Sequence, residues 1–180
     1  MDAKSQQQWV IAIIDDNPDD RALVKYELTH HLSQYVFSYL EITNNDELDT
    51  VLETGSFNLA ITDYQLRWND GITILKALKN RFPEKPVIMF TGTGNEEVAV
   101  DAMKLHLDDY VVKSAKNVSR LGLSVQQLLT HIHQQQVITE VTARYQSLFN
   151  QVPIGLFRLS ETHQLIEANR LWSSYLNILH

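Results

Sequence analysis

Polar residues stand at the ends of four short apolar runs: Asp15 and Asp16 after Val10 to Ile14, Asp63 after the run that holds Phe57, Leu59, Ala60 and Ile61, Thr91 after Val87 to Phe90, and Lys113 after Tyr110 to Val112. Each run has the length and composition of a buried strand, and open α/β sheets build their sites at the carboxyl ends of their strands. Carboxylates gathered at such an edge suit a hard cation, and Asp19 and Asp20 enlarge the acidic group begun by Asp15 and Asp16. This arrangement points to a cation site rather than an anion site. Taken singly, each residue has a plainer explanation. An acidic pair before a helix caps it, Asp63 suits a turn, Thr91 to Gly94 reads as a Thr/Gly loop, Tyr110 as core and Lys113 as a snorkelling surface lysine. The functional reading rests on the whole set falling on strand ends at once.

The elements that must position these residues alternate between strand and helix, the signature of a parallel sheet with helices on both faces. Strands are expected at Trp9 to Ile14, Val36 to Ile42, Phe57 to Thr62, Val87 to Phe90 and Tyr110 to Val112. Pro18 sits where the first turn of a helix tolerates proline, with Asn17 as its cap and Ala22, Leu23, Tyr26 and Leu28 as an apolar stripe. Further helices are predicted around Asp46 to Glu53, after Gly71, and from Asn95 to Leu105. Pro83 and Pro86 end the one that begins at Gly71.

The acids, hydroxyl and ammonium, in this order on these strand ends, resemble the receiver domain of two-component response regulators over residues 9 to 130. The resemblance implies a flavodoxin-like, doubly wound, five-stranded parallel sheet in the order 2-1-3-4-5, which sets Asp15 and Asp16 beside Asp63 and lets Thr91 and Lys113 close from the other side. It also implies that Asp63 is the phosphoryl acceptor and that the donor is a phosphohistidine on a sensor kinase or phosphotransfer protein. Three neighbouring carboxylates repel one another unless a cation intervenes, and Mg²⁺ takes oxygen ligands of this kind. In the family's pattern Asp16 and Asp63 bind Mg²⁺ directly, Asp15 through a water, and the Gln65 backbone carbonyl completes the protein's share. Lys113 pairs with one phosphoryl oxygen and Thr91 with another, Gly92 leaves room for its backbone to approach, and Tyr110 is the aromatic that turns inward behind Thr91. The chain departs from the pattern at Ser114, where a proline is usual, at Arg67-Trp68-Asn69 in place of a Pro-Gly turn, and at His106-Leu107 in place of Gly-Ala. The substitution at 67–69 puts a large aromatic, Trp68, near the expected site mouth. Gln65 and Thr93 occupy positions that tune aspartyl-phosphate lifetime in the family.

Beyond the receiver, Val118, Leu121, Val125, Leu128 and Ile132 alternate steps of three and four, and Ile138, Val141, Tyr145 and Leu148 resume in another phase after Gln134 to Gln136. This predicts that the last receiver helix continues as a helical linker over residues 131–150, with a homodimer seam in its outer part. Residues 151–180 then break the helix and offer a hairpin, Leu156 to Leu159 against Gln164 to Ala168, followed by a helix from Asn169 to Asn177. Tyr145-Gln146-Ser147-Leu148-Phe149, Pro153-Ile154-Gly155 and Glu167-Ala168-Asn169 resemble the opening of a PAS sensory domain, although Glu161-Thr162-His163 lacks the glycine often found in the hairpin turn. A PAS fold needs about 100 residues, so 151–180 is expected to be its truncated N-terminal portion.

Composition narrows the classes further. The net charge of -7 argues against a nucleic-acid partner, and no apolar run approaches the roughly 20 residues of a membrane span. The polar start, Met1 to Gln8, and the absence of cysteine suit the cytoplasm. The expectation is a phosphoacceptor rather than an enzyme that turns over substrate. Two alternatives stay open. A Mg²⁺-dependent aspartyl-phosphate phosphohydrolase would need a second acid two residues after its nucleophile on the first strand, where Asn17 follows Asp15 and Pro18 follows Asp16. A receiver that only docks a partner would not need the set Asp16, Asp63, Thr91 and Lys113 intact.

Overall fold

A computed structural model describes residues 7–92, 96–114 and 116–178, with side chains as far as 175. Five strands, β1 (Gln8–Ile14), β2 (Val36–Ile42), β3 (Leu59–Thr62), β4 (Val87–Thr91) and β5 (Asp109–Val112), form one parallel sheet in the order β2-β1-β3-β4-β5. Helices α1 (Pro18–His31), α2 (Asn45–Thr54), α3 (Gly71–Arg81) and α4 (Glu96–Lys104) alternate with the strands, and α5 (Val118–Gln151) follows β5. This is the flavodoxin-like fold. Asn95, expected to begin α4, and Thr93 lie outside the described residues.

Burial explains why the inner strands read as unbroken apolar runs. Every residue of β3 and β4 is buried, because helices cover both faces of a parallel sheet. Edge strand β2 is only half-buried, and its Phe37 and Tyr39 form an aromatic ladder with Tyr35 just before it, at centroid spacings of 6.0 and 6.2 Å. Asn17 caps α1 as the spacing predicts, its side chain accepting from the Asp19 amide with Pro18 in the first turn. Asn44 caps α2 by accepting from the Glu47 amide at 3.0 Å, and the Glu47 carboxylate accepts from the amide of Thr43, the residue before the cap, at 2.6 Å.

β3 begins two residues later than the apolar run predicts. The Phe57 amide turns back to Gly55 O (2.8 Å), and Asn58 meets β1 at Val10, its amide donating to Val10 O and its side chain accepting from the Val10 amide, both at 2.8 Å. His106 adopts a φ of 62°, taking the left-handed conformation at the position where glycine is usual. His163 does the same in the tail, with a φ of 60°. No cis peptide occurs among the described residues, and none follows Lys113.

The chain divides into two compact units, Met1–Leu129 and Thr130–His180, with α5 continuous in sequence across the division. Within the second unit, β6 (Phe157–Leu159) pairs antiparallel with β7 (Leu165–Ala168), and α6 (Arg170–Ile178) follows. Asn169 organises this segment. Its Oδ1 accepts from the Leu156 and Trp172 amides, both at 3.0 Å, and its Nδ2 donates to Phe149 O at 3.1 Å and Ile154 O at 2.8 Å.

Candidate functional site

The ends of β2, β1 and β3 are laced together before any side chain is considered. The Asp15 amide donates to Ile42 O at 3.2 Å, and the Asp63 amide donates to Ile14 O at 2.9 Å. Across the site, the Lys113 amide donates to Thr91 O at 2.7 Å, joining the ends of β4 and β5. Arg21 of α1 donates to the Asp15 carbonyl at 2.9 Å while pairing with Glu41 of β2 at 2.6 Å, so the backbone under Asp15 is braced from a second element. The Lys25 and Arg21 hydrogen bonds hold the Glu41 carboxyl below the usual carboxylate range.

One ammonium gathers the acids. Lys113 Nζ donates to Asp15 Oδ2 at 2.7 Å, to Asp20 Oδ2 at 2.8 Å and to Asp63 Oδ2 at 2.8 Å, so each of its N–H groups has a carboxylate. The ring of Phe90 lies 5.5 Å from the same nitrogen. The other oxygen of Asp63 accepts from the Tyr64 amide at 2.6 Å and faces the Gln65 amide at 3.4 Å. Three carboxylates against one ammonium leave two negative charges uncompensated. Burial is the main cause that pushes the Asp15 carboxyl above its ordinary value, only partly offset by the Lys113 hydrogen bond. For Lys113, burial pulls the other way, yet its hydrogen bonds to Asp15, Asp20 and Asp63 outweigh it and hold the ammonium well above the usual lysine range.

Gly71, the first residue of α3, allows the loop to close against the acceptor strand. Its amide donates to Tyr64 O at 2.8 Å, and a Cβ there would stand 2.4 Å from Asp63 O and 2.8 Å from the Tyr64 Cα. Both are backbone atoms, so only glycine fits without moving Asp63.

Asp15, Asp63 and Lys113 are thus brought into direct contact, and Thr91 is buried at the end of β4. Asp16 makes a different contact: its Oδ2 accepts from the Arg67 amide at 3.0 Å and pairs with Arg67 Nε at 3.2 Å, fastening the β3–α3 loop. Gln65 is exposed and bridges to Asp70. Tyr110, half-buried, packs against the core cluster. So does Trp68, together with Tyr64 and Leu66 of the same loop. Around Gly92 a Cβ would meet nothing within 4 Å. Sequence reasoning counted Asp20 among the acids but gave it no role. The signal was its place in the first turn of α1, three residues after the capping Asn17, whose Nδ2 donates to Asp20 Oδ2 at 3.0 Å.

Among the described residues, Asp15, Asp20 and Asp63 form a group whose carboxylate oxygens lie within 4.8 Å of one another. An all-oxygen donor set with excess negative charge fits a hard divalent cation such as Mg²⁺. No helix among the described residues is long and apolar enough to cross a membrane.

The family model of the response regulator receiver domain matches residues 11–123. Over 101 residues the chain is 31% identical to the response regulator protein PilR of Pseudomonas aeruginosa, an alignment covering 56% of this chain and 22% of that protein. The chain therefore spans less than a quarter of that curated relative's length. Among solved structures, the beryllofluoride-activated DrrB receiver domain superposes with a TM-score of 0.58 at 25% identity, covering 69% of this chain and 99% of that one. The Mn²⁺-bound form of response regulator Rcp1 gives a TM-score of 0.55 at 25% identity, covering 67% and 91%.

Proposed function

The chain belongs to the response regulator receiver domain family of two-component signalling, and from that premise we propose that Asp63 accepts a phosphoryl group from a histidine kinase or phosphotransfer protein. The observation that carries this reading is the single ammonium of Lys113, which touches both Asp63 and Asp15 where β1 and β3 end. In the transfer, an Asp63 carboxylate oxygen forms a bond to phosphorus as the phosphorus–nitrogen bond of the donor phosphohistidine breaks, and the released imidazole keeps the bonding pair. Lys113 then pairs with one phosphoryl oxygen, and the Thr91 hydroxyl donates to another. Asp63 and Asp16, the latter once released from Arg67, would hold Mg²⁺ directly, Asp15 would hold it through a water and the Gln65 carbonyl would complete the protein's share; the ion would supply charge neutralisation for the transferring group. The DrrB structure carries beryllofluoride and the Rcp1 structure Mn²⁺, which supports both halves of this reading for the present chain.

The chain acts as a switch that stops at the phosphorylated state rather than turning over substrate. Movement of Thr91 toward the phosphoryl group, with Tyr110 turning inward, biases the face that α5 belongs to, and α5 carries the bias onward. Ile138, Val141, Tyr145 and Leu148, all exposed on the outer part of α5, form a homodimer seam. The hairpin and helix of 151–180 are the opening of a PAS domain through which the signal reaches an output, and the protein works in the cytoplasm. Intact-mass measurement after incubation with acetyl phosphate and Mg²⁺ tests the acceptor. The wild type gains one phosphoryl group only when Mg²⁺ is present and Asp63→Asn gains none; an equal gain on the variant would refute the assignment.

A further inference from the structure

We propose that Asp20 is a positioning residue, holding Lys113 in its resting place against α1 and so opposing phosphoryl acceptance; this rests on the reading of Asp63 as acceptor. Asp20 is not a loose surface acid. Its Oδ2 takes hydrogen bonds from both Lys113 Nζ at 2.8 Å and Asn17 Nδ2 at 3.0 Å. Asn17 is itself fixed, because its Oδ1 caps α1 at the Asp19 amide and its own amide donates to Asp15 Oδ1 at 2.8 Å. The acid is thus braced by the helix cap and aimed into the site.

Lys113 has no uncommitted donor in this arrangement, since Asp15, Asp20 and Asp63 take one each. To pair with a phosphoryl oxygen it must give up a partner. Asp63 gives up its own carboxylate charge when its oxygen is phosphorylated, which weakens that hold in step with the reaction. Asp20 keeps its charge throughout. It therefore goes on pulling Lys113 toward α1 and repels the incoming anion across the same small space, favouring the unphosphorylated form.

The test is calorimetric titration of the full chain with beryllofluoride at saturating Mg²⁺, alongside the rate of mass gain from acetyl phosphate. Asp20→Asn is expected to bind roughly tenfold more tightly and to phosphorylate faster, as loss of one nearby charge predicts. Asp20→Glu, which restores the charge, returns the affinity toward wild type. Asp19→Asn, one residue back and exposed, leaves it unchanged. Asp20→Ser provides a second neutral side chain should the asparagine variant melt early. Neutral variants that bind no more tightly than wild type would overturn the inference, and weaker binding would do so by making Asp20 a supporter of the liganded state. A wild type that binds no beryllofluoride at all would instead remove the acceptor reading beneath it.

Discussion

In the unit Met1–Leu129 the apolar runs end in burial, whereas in Thr130–His180 comparable residues stay at the surface. The buried hydrophobics among the described residues extend from Trp9 to Leu129 and stop there. In the second unit Val137, Ile138, Val141, Tyr145, Leu148, Phe157, Leu165 and Ile166 are exposed, and the one buried residue described is the polar Asn169. Both units have regular secondary structure, so local pattern and hydrogen bonding suffice for helices and a hairpin. A core requires a second layer to cover the apolar face, and the five-stranded sheet supplies one only to the first unit.

The sharpest contrast is available by truncation. Leu75, fully buried in α3, should cost about 3 to 4 kcal/mol when changed to alanine, read as the shift in a urea unfolding curve. A cost below about 1 kcal/mol would mean that the first unit's core is looser than its burial implies.

A second effect lies at the site and has the opposite sign. Burial raises the Asp15 carboxyl, so its ionised form is disfavoured in the folded chain. Replacing it with asparagine should stabilise the protein at neutral pH, read as a rise in Tm. Because a raised carboxyl contributes its stability on the acid side and loses it as pH rises, the advantage of Asp15→Asn shrinks as pH falls through the folded value. It levels out below 3.8, the ordinary value. Thermal melts from pH 3 to 7 check both the sign and the trend; a variant less stable than wild type at pH 7 would show that the Lys113 bond outweighs burial.

The smallest effect is expected in the second unit. Val141, 62% exposed, should lose under about 0.5 kcal/mol on change to alanine at low protein concentration. A larger loss that grows with concentration would show that a second copy covers the face, and the contrast between the units would then belong to the monomer alone.

The strand tips were legible because a buried parallel strand is an unbroken apolar run and the polar residue that ends it is conspicuous. Asp15, Asp63, Thr91 and Lys113 were found in that way. Asp20 was harder to assign because it stands on a helix, where a first-turn acid already has an ordinary explanation in the helix dipole. Its turn toward Lys113 depends on the contact with Asn17, which no one-dimensional pattern carries. The hydrogen bond from the Arg67 amide to Asp16 was not legible, because it joins residues far apart in the chain through the β3–α3 loop. β3 was read two residues too long because Phe57 is apolar, although its amide belongs to the turn with Gly55. The packing of Trp68 against the core cluster was not legible, because a lone aromatic in a loop carries no periodic pattern.

Asp63, among the three acids on the Lys113 ammonium, is the one assigned the phosphoryl group. The most direct measurement is borohydride reduction of the acetyl phosphate-treated chain followed by peptide mass mapping, since an aspartyl phosphate is reduced to homoserine where it stands. Homoserine at position 63, dependent on Mg²⁺, is the predicted result. Homoserine at 15, 16 or 20, or at no aspartate while the intact mass still rises, would contradict it.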